Sequence, residues 1–295
     1  MTATVRGILP NPITPLNVLT PDQVKDFNRD GFLFVRGNFN AEEIALLGRA
    51  SREDKAMDLS AVVREDGTGH PVRLSAWNHP GNGIYGMFAR CRRVVDAVEQ
   101  LLEDEVYHYH SKMILKDART GGAWAWHQDY GYWYQNGCLY PDFISVSTAV
   151  DRATQLNGCM QVLAGSHRLG RVNHIQSGEQ AGADLERVSE AKKRLALVHC
   201  EMEPGDSLFF HANLLHCSAA NSSEHPRWSL ISCYNTKHND PYKDSHHPRY
   251  TPLVKVEDSE VLRVARERFI GNHDGGVEFF SANRIDMSAR SLAKQ

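Results

Sequence analysis

The densest concentration of reactive side chains is Trp124-Ala125-Trp126-His127-Gln128-Asp129-Tyr130. Residues two apart on a strand project from one face, so His127 and Asp129 can reach one metal ion while Gln128 points away. One imidazole and one carboxylate are too few ligands, and that pair alone reads equally well as a hydrogen-bonded structural couple. A third ligand is available between Gly205 and Ser218, where the chain carries His211 and His216. If the run from Ser207 were one uninterrupted strand, these two would face opposite sides, and only one could ligate. Two histidines, one aspartate and open positions are the donor set of non-haem Fe(II) oxygenases. The same ligand types hold zinc, with water in a fourth position. Arg227 separates the two, because a planar, permanently charged guanidinium suits bidentate binding of a dicarboxylate co-substrate.

These residues need a scaffold, and the sequence pattern supplies one. Thr20-Pro21-Asp22-Gln23 reads as a helix N-cap with proline at the first helical position and glutamine three residues after the cap. That helix ends at Asp30-Gly31, and Phe32 to Val35 follows as a short buried strand. Asn40-Ala41-Glu42-Glu43 opens a second helix through about Arg52. A third covers about Arg92 to Glu103, with Val94, Val95, Val98, Leu101 and Leu102 on one side. From Glu105 the texture changes to short apolar runs: Tyr107 to Leu115, Phe143 to Val150, Cys159 to Leu163, Ala196 to Met202, Ser207 to Phe210 and Trp228 to Tyr234. Turn chemistry such as Asn157-Gly158 and Pro204-Gly205-Asp206 separates them. Many short strands punctuated this way predict a β-sandwich or barrel. A helical insert at about Asp184 to Leu195 interrupts the series, and an amphipathic helix is expected over Asp258 to Phe269.

Composition sets the outer bounds. The 295 residues suffice for a hydrophobic core without disulfide or metal staples. With 41% hydrophobic and 23% charged residues, disordered and fibrous classes are excluded. A net charge of −3 argues against nucleic acid or an anionic membrane as the main partner; the basic cluster Arg90, Arg92 and Arg93 reads as a solvated helix start. No apolar stretch approaches a membrane span. The first nineteen residues carry Pro10, Pro12 and Pro15 where a signal peptide would need an apolar core, and Ala293-Lys294-Gln295 matches no address signal. The six cysteines form no Cys-x-x-Cys pair, so reduced thiols and a cytoplasmic location are expected.

The ordered blocks His127-Gln128-Asp129, Asn157-Gly158-Cys159, Gly165-Ser166-His167, Gly205-Asp206 to His211, and Leu215-His216 running to Ser218 and Asn221 resemble the phytanoyl-CoA dioxygenase family. Arg227 lies eleven positions after His216, and Leu19 to Phe32 also looks like that family's start. The resemblance, over about residues 19 to 236, implies a mainly β fold with flanking helices. The expected core is a double-stranded β-helix (jelly roll, cupin-like) in a single domain spanning 1–295, with a helical region over about 20–104, the jelly roll over about 105–236 and a C-terminal extension over 237–295.

The same resemblance implies an Fe(II)- and 2-oxoglutarate-dependent dioxygenase that uses O2 to hydroxylate a C–H bond of a small molecule, releasing succinate and CO2. By it the ligands would be His127, Asp129 and His216, with His211 a packing histidine. Arg227 would hold the distal carboxylate of 2-oxoglutarate beside Ser218, and Met113, Ser147 and Arg73 would fall at co-substrate positions. Related halogenases carry a small residue in place of the aspartate, so Asp129 favours hydroxylation or desaturation.

Tyr130, Tyr132, Trp133 and Tyr134 follow the His-x-Asp pair in a loop expected to overhang the metal. They could stack on a substrate, bind a cation or close a lid, with at least two of them expected to pack in the core. His167 reads as a loop histidine, and His108, His110, His225, His246 and His247 as surface or core residues. A metal-dependent hydrolase on the same scaffold would leave Arg227 without a task. A non-catalytic β-sandwich binding module would use the histidines structurally.

Overall fold

The computed structural model describes residues 18–66, 68–177, 180–267 and 277–280. The readings placed on the two chain ends, and the last residues of the predicted C-terminal helix, lie outside them. The helices are α1 (Pro21–Asp30), α2 (Ala41–Glu53), α3 (Lys55–Leu59), α4 (Ile84–Arg90), α5 (Arg92–Leu102), α6 (Asp129–Trp133), α7 (Leu185–Lys192) and α8 (Ser259–Glu267). The first seven strands are β1 (Phe32–Val35), β2 (Val62–Glu65), β3 (Pro71–Trp77), β4 (Val106–Lys116), β5 (Trp124–His127), β6 (Phe143–Ala149) and β7 (Met160–Leu163). The remaining six are β8 (His174–Ser177), β9 (Gln180–Ala183), β10 (Leu197–Cys200), β11 (Ser207–His211), β12 (His216–Ser218) and β13 (Arg227–Thr236).

Local signals explain the helix starts. Both predicted capping boxes form: Thr20 accepts from the Gln23 N–H while Gln23 accepts from the Thr20 N–H, and Asn40 and Glu43 repeat the exchange. Gly31 closes α1 in the left-handed region at φ 81°, as its place after Asp30 requires. Glu103 closes α5 in the same region at φ 54°.

Seven strands form the major antiparallel sheet in the order β1-β11-β6-β13-β4-β3-β2, and four form the minor sheet in the order β10-β7-β12-β5. The hairpin β8-β9 stands beside β5. This is the expected double-stranded β-helix. Alternation along the strands assigns the two faces of the major sheet. Met113, Leu115, Ile144, Val146, Leu230 and Tyr234 pack against the apolar side of α5 (Val94, Val95, Val98 and Leu101) in the main core. Their neighbours on the opposite face point toward the minor sheet and enclose a cavity.

The region read as helical contributes more to the sheet than its pattern suggests. Besides β1, it supplies β2 and β3, which extend the sheet beyond β4. The C-terminal part returns across this edge: the Phe280 N–H donates to the Ala76 carbonyl at 2.7 Å, and Trp77 bridges to Phe279. All six cysteines are buried and unbonded to one another. Among the described residues, no helix is long and apolar enough to cross a membrane.

Candidate functional site

The minor sheet makes the first half of the site. His127 ends β5 and His216 begins β12, and the two are register partners across an antiparallel pair. Their rings lie 4.0 Å apart, centroid to centroid. A bulge in the pairing follows: His216 faces His127 but Ser218 faces Trp124, so β5 carries one extra residue beside the site.

Asp129 arrives by a route the strand pattern did not predict. The strand stops at His127, and Asp129 is the first residue of α6, so a turn into helix rather than strand alternation brings it back toward His127. Gln128, at the junction, does point away. Its side-chain amide donates to the carbonyls of Gly170 (2.8 Å) and Asn213 (2.7 Å) and accepts from the Val172 N–H (2.7 Å). That clamp fixes the turn.

The result is convergent. His127 Nε2 is 3.9 Å and His216 Nε2 4.0 Å from Asp129 Oδ1. One donor atom from each of the three lies within 4.8 Å of the others, and all three side chains are buried. Each imidazole is oriented identically: Nδ1 bonds the carbonyl two residues back, Ala125 for His127 (2.8 Å) and Leu214 for His216 (2.9 Å). A carbonyl only accepts, so Nδ1 carries the proton and each Nε2 lone pair is left for a ligand. Burial, then the neighbouring His216, holds His127 well below the usual imidazole range. Burial alone would raise the Asp129 carboxyl, but the Lys112 ammonium and the two imidazoles bring it to about 2. Ser145 on β6 donates to Asp129 Oδ2 at 2.7 Å, and Lys112 Nζ lies 3.7 Å from Oδ1. Neutral imidazoles beside an ionised, anchored carboxylate fit a divalent cation.

His211, the rival ligand, lies elsewhere. Its Nδ1 accepts from the Asn213 N–H at 2.9 Å and its ring packs near His167.

The cavity beside the triad has an inner and an outer lobe that share Leu74, Lys112, Trp124 and His127 in their walls. The inner lobe is closed by Lys116, Met160, Ser218 and Arg227. Arg227 opens β13, its side chain is buried, and its Nη1 donates to Ser229 Oγ at 3.4 Å while Nε has no partner. No carboxylate of the described residues pairs with it, and burial pushes its pKa down to about 10. The outer lobe is lined by His110, Tyr132, Trp133, His246, His247 and Phe280, among others.

The readings of Met113, Arg73 and Tyr130 require correction. Met113 is fully buried in the helix-side core, because Met113 and Leu115 of β4 face α5 while His110, Lys112, Ile114 and Lys116 face the cavity. Arg73 is drawn to Asp117 and Asp58, both at 2.5 Å, and stands outside the cavity lining. Ser147 is buried on the face of β6 that carries Ser145, in register with Ile231 of the inner lobe. Tyr130 turns into an aromatic cluster with Tyr109 and Phe143, its hydroxyl donating to the carbonyls of Cys138 and Leu139. Of the aromatic segment, Tyr132 and Trp133 do line the outer lobe, from a helix rather than a loop; Tyr134 lies under the Arg171 guanidinium.

The sequence reading overlooked Lys112, Ser145 and Lys116. The two lysines had a visible signal, since they alternate with Ile114 on one face at the end of the strand.

A jelly roll whose facing sheets present two imidazoles and a carboxylate, with a buried and unpaired arginine in the same cavity, defines the class of mononuclear non-haem oxygenases. The family model "Phytanoyl-CoA dioxygenase (PhyH)" matches residues 27–229, and the chain belongs to that family. It is an iron- and 2-oxoglutarate-dependent dioxygenase.

Among its relatives, the ectoine dioxygenase of Sphingopyxis alaskensis is 28% identical over 262 residues, covering 83% of this chain and 85% of that protein. The L-proline trans-4-hydroxylase of Streptomyces griseoviridis is 29% identical, covering 82% and 95%. The crystal structure of EctD from S. alaskensis with 2-oxoglutarate and 5-hydroxyectoine superposes with a TM-score of 0.65 at 25% identity, covering 84% of this chain and 87% of that one. The same protein with bound Fe gives a TM-score of 0.69 at 23% identity, over 81% and 88%.

Proposed function

We propose that this chain hydroxylates a C–H bond of a small-molecule substrate, with His127, Asp129 and His216 holding Fe(II) and with Arg227 and Ser218 holding the distal carboxylate of 2-oxoglutarate. The observation that carries this reading is the placement of an unpaired, buried guanidinium in the cavity whose wall contains the three ligands. Iron held there would supply the redox chemistry that couples oxidation of 2-oxoglutarate by O2, to succinate and CO2, with hydroxylation of the substrate.

The protein's share is positional. The carbonyls of Ala125 and Leu214 hold a proton on each Nδ1, so both Nε2 atoms stay available as ligands. The Ser145 hydroxyl occupies Asp129 Oδ2 and leaves Oδ1 facing the imidazoles. Lys112 balances the buried carboxylate. Trp124, Tyr132, Trp133 and Phe280 line the outer lobe and exclude bulk water from the substrate's side. A zinc hydrolase would use the same three ligands but leave Arg227 buried at a cost with no anion to meet it.

The decisive experiment measures O2 uptake and succinate release with Fe(II), 2-oxoglutarate and a panel of small metabolites, beginning with ectoine and L-proline because the named relatives act on them. Substrate-stimulated succinate release and a product heavier by one oxygen are expected. Uptake no faster than a metal-free blank with every compound would overturn the reading.

A further inference from the structure

The inner lobe holds a second basic side chain that the co-substrate reading has not used. Lys116 ends β4 and is the register partner of Arg227 on β13. It is as buried as Arg227, at 4% and 6% exposure respectively. Its Nζ donates to Ser218 Oγ at 3.0 Å and to the Ala219 carbonyl. Gly158 at φ 75° makes room: a Cβ there would fall 2.2 Å from the Ala219 carbonyl oxygen and 3.1 Å from Lys116 Nζ.

The contrast with partly buried cations is chemical. Lys255 meets Asp96 and Glu99, Arg93 meets Glu43, and Lys112 meets Asp129. Among the described residues, neither Lys116 nor Arg227 has a carboxylate within ion-pair reach. An ammonium beside the Arg227 guanidinium is costly in a lobe without a counter-ion and becomes favourable once an anion enters.

We infer that Lys116 is a second anchor for the distal carboxylate of 2-oxoglutarate, acting beside Arg227 and taking up a proton as the co-substrate binds. The inference rests on the role proposed above for Arg227. Burial, then the Arg227 charge, lowers the Lys116 ammonium to about 6, against weaker support from the Cys217 and Cys159 thiols and from Asp66. The Asp66 carboxylate is itself occupied by Thr68, His70 and the Ala123 N–H. Near neutral pH the amine of the empty lobe is therefore mostly unprotonated. An entering carboxylate raises its pKa and draws one proton from solvent. The sign follows: 2-oxoglutarate binds most tightly at or below about pH 6 and weakens by up to about tenfold per pH unit above it, until the raised pKa of the complex is passed.

The test is calorimetric titration of the full-length, Mn(II)-loaded protein at pH 7.5 in two buffers of different ionisation enthalpy. About one proton should be taken up per 2-oxoglutarate. 2-Oxovalerate, which has the same chain length without the distal carboxylate, should bind with no uptake. Lys116→Gln should lose the proton uptake and about 10- to 100-fold in 2-oxoglutarate affinity, with Mn(II) and 2-oxovalerate affinities unchanged. Absence of proton uptake by the wild-type protein would overturn the inference, and that measurement needs no variant. Equal weakening of both keto acids in Lys116→Gln would also overturn it, by showing that the lysine merely braces Ser218 and Ala219. A wild-type protein that binds no 2-oxoglutarate would instead remove the co-substrate reading, and this inference with it.

Discussion

The two lobes of the cavity are built in opposite ways. The inner lobe is made largely by strand residues of the two sheets: Lys116 from β4, Ser218 from β12, Arg227 and Ile231 from β13. Its charge is cationic and unbalanced. The outer lobe joins β3 and β4 to α6, β9, the loop bearing His246 and His247, and Phe280 from the C-terminal part. There the imidazoles dominate, and burial holds His110 and His247 well below the usual range, hence neutral. One end is framed by strands of the two sheets and carries basic side chains, whereas the other is a wall assembled from separate segments.

The sharpest way to break this comparison is at the metal between the lobes. Asp129→Ala should abolish 2-oxoglutarate-dependent hydroxylation and weaken Mn(II) binding, seen by product analysis and titration; retained turnover would remove Asp129 from the site. At the inner end, Arg227→Met should weaken 2-oxoglutarate about a hundredfold while metal affinity stays constant, because a charged hydrogen-bonding partner is lost. Ser145→Ala removes the donor to Asp129 Oδ2, and metal affinity should fall about tenfold. At the outer end, Tyr132→Phe deletes the bond to the Ala181 carbonyl. A loss of about 1 kcal/mol in stability is expected, read as a small drop in melting temperature, with 2-oxoglutarate affinity unmoved. A large change in that affinity would show that the two lobes are not separable.

The same division explains what was legible beforehand. The capping boxes of α1 and α2, the apolar stripe of α5 and the apolar runs of β4, β6, β11 and β13 are local patterns, and they formed within a few residues of expectation. Spacing alone left His211 and His216 open, and the family resemblance singled out His216; the turn that delivers Asp129 was not anticipated, because it depends on Gln128 reaching Gly170, Val172 and Asn213. Met113 shows how a strand can be located and its phase missed: one position along β4 separates the helix-side core from the cavity. β2 escaped notice because Val62–Glu65 is short and lacks alternation; β3 carried a signal, since Val72, Leu74 and Ala76 alternate with Arg73 and Ser75, and it pairs with β4 while β2 pairs with β3. His246, His247 and Phe280 carry no spacing relation to the ligands, so only tertiary structure brings them to the outer lobe.

The facing of His127 and His216 across β5 and β12 has a consequence for how the chain acquires its activity. A slip of one residue in that pairing would turn one imidazole to the far side of the minor sheet. Correct folding of these two short strands and assembly of the ligand set are thus a single event, and stoichiometric metal uptake by a freshly refolded sample would report native alignment directly.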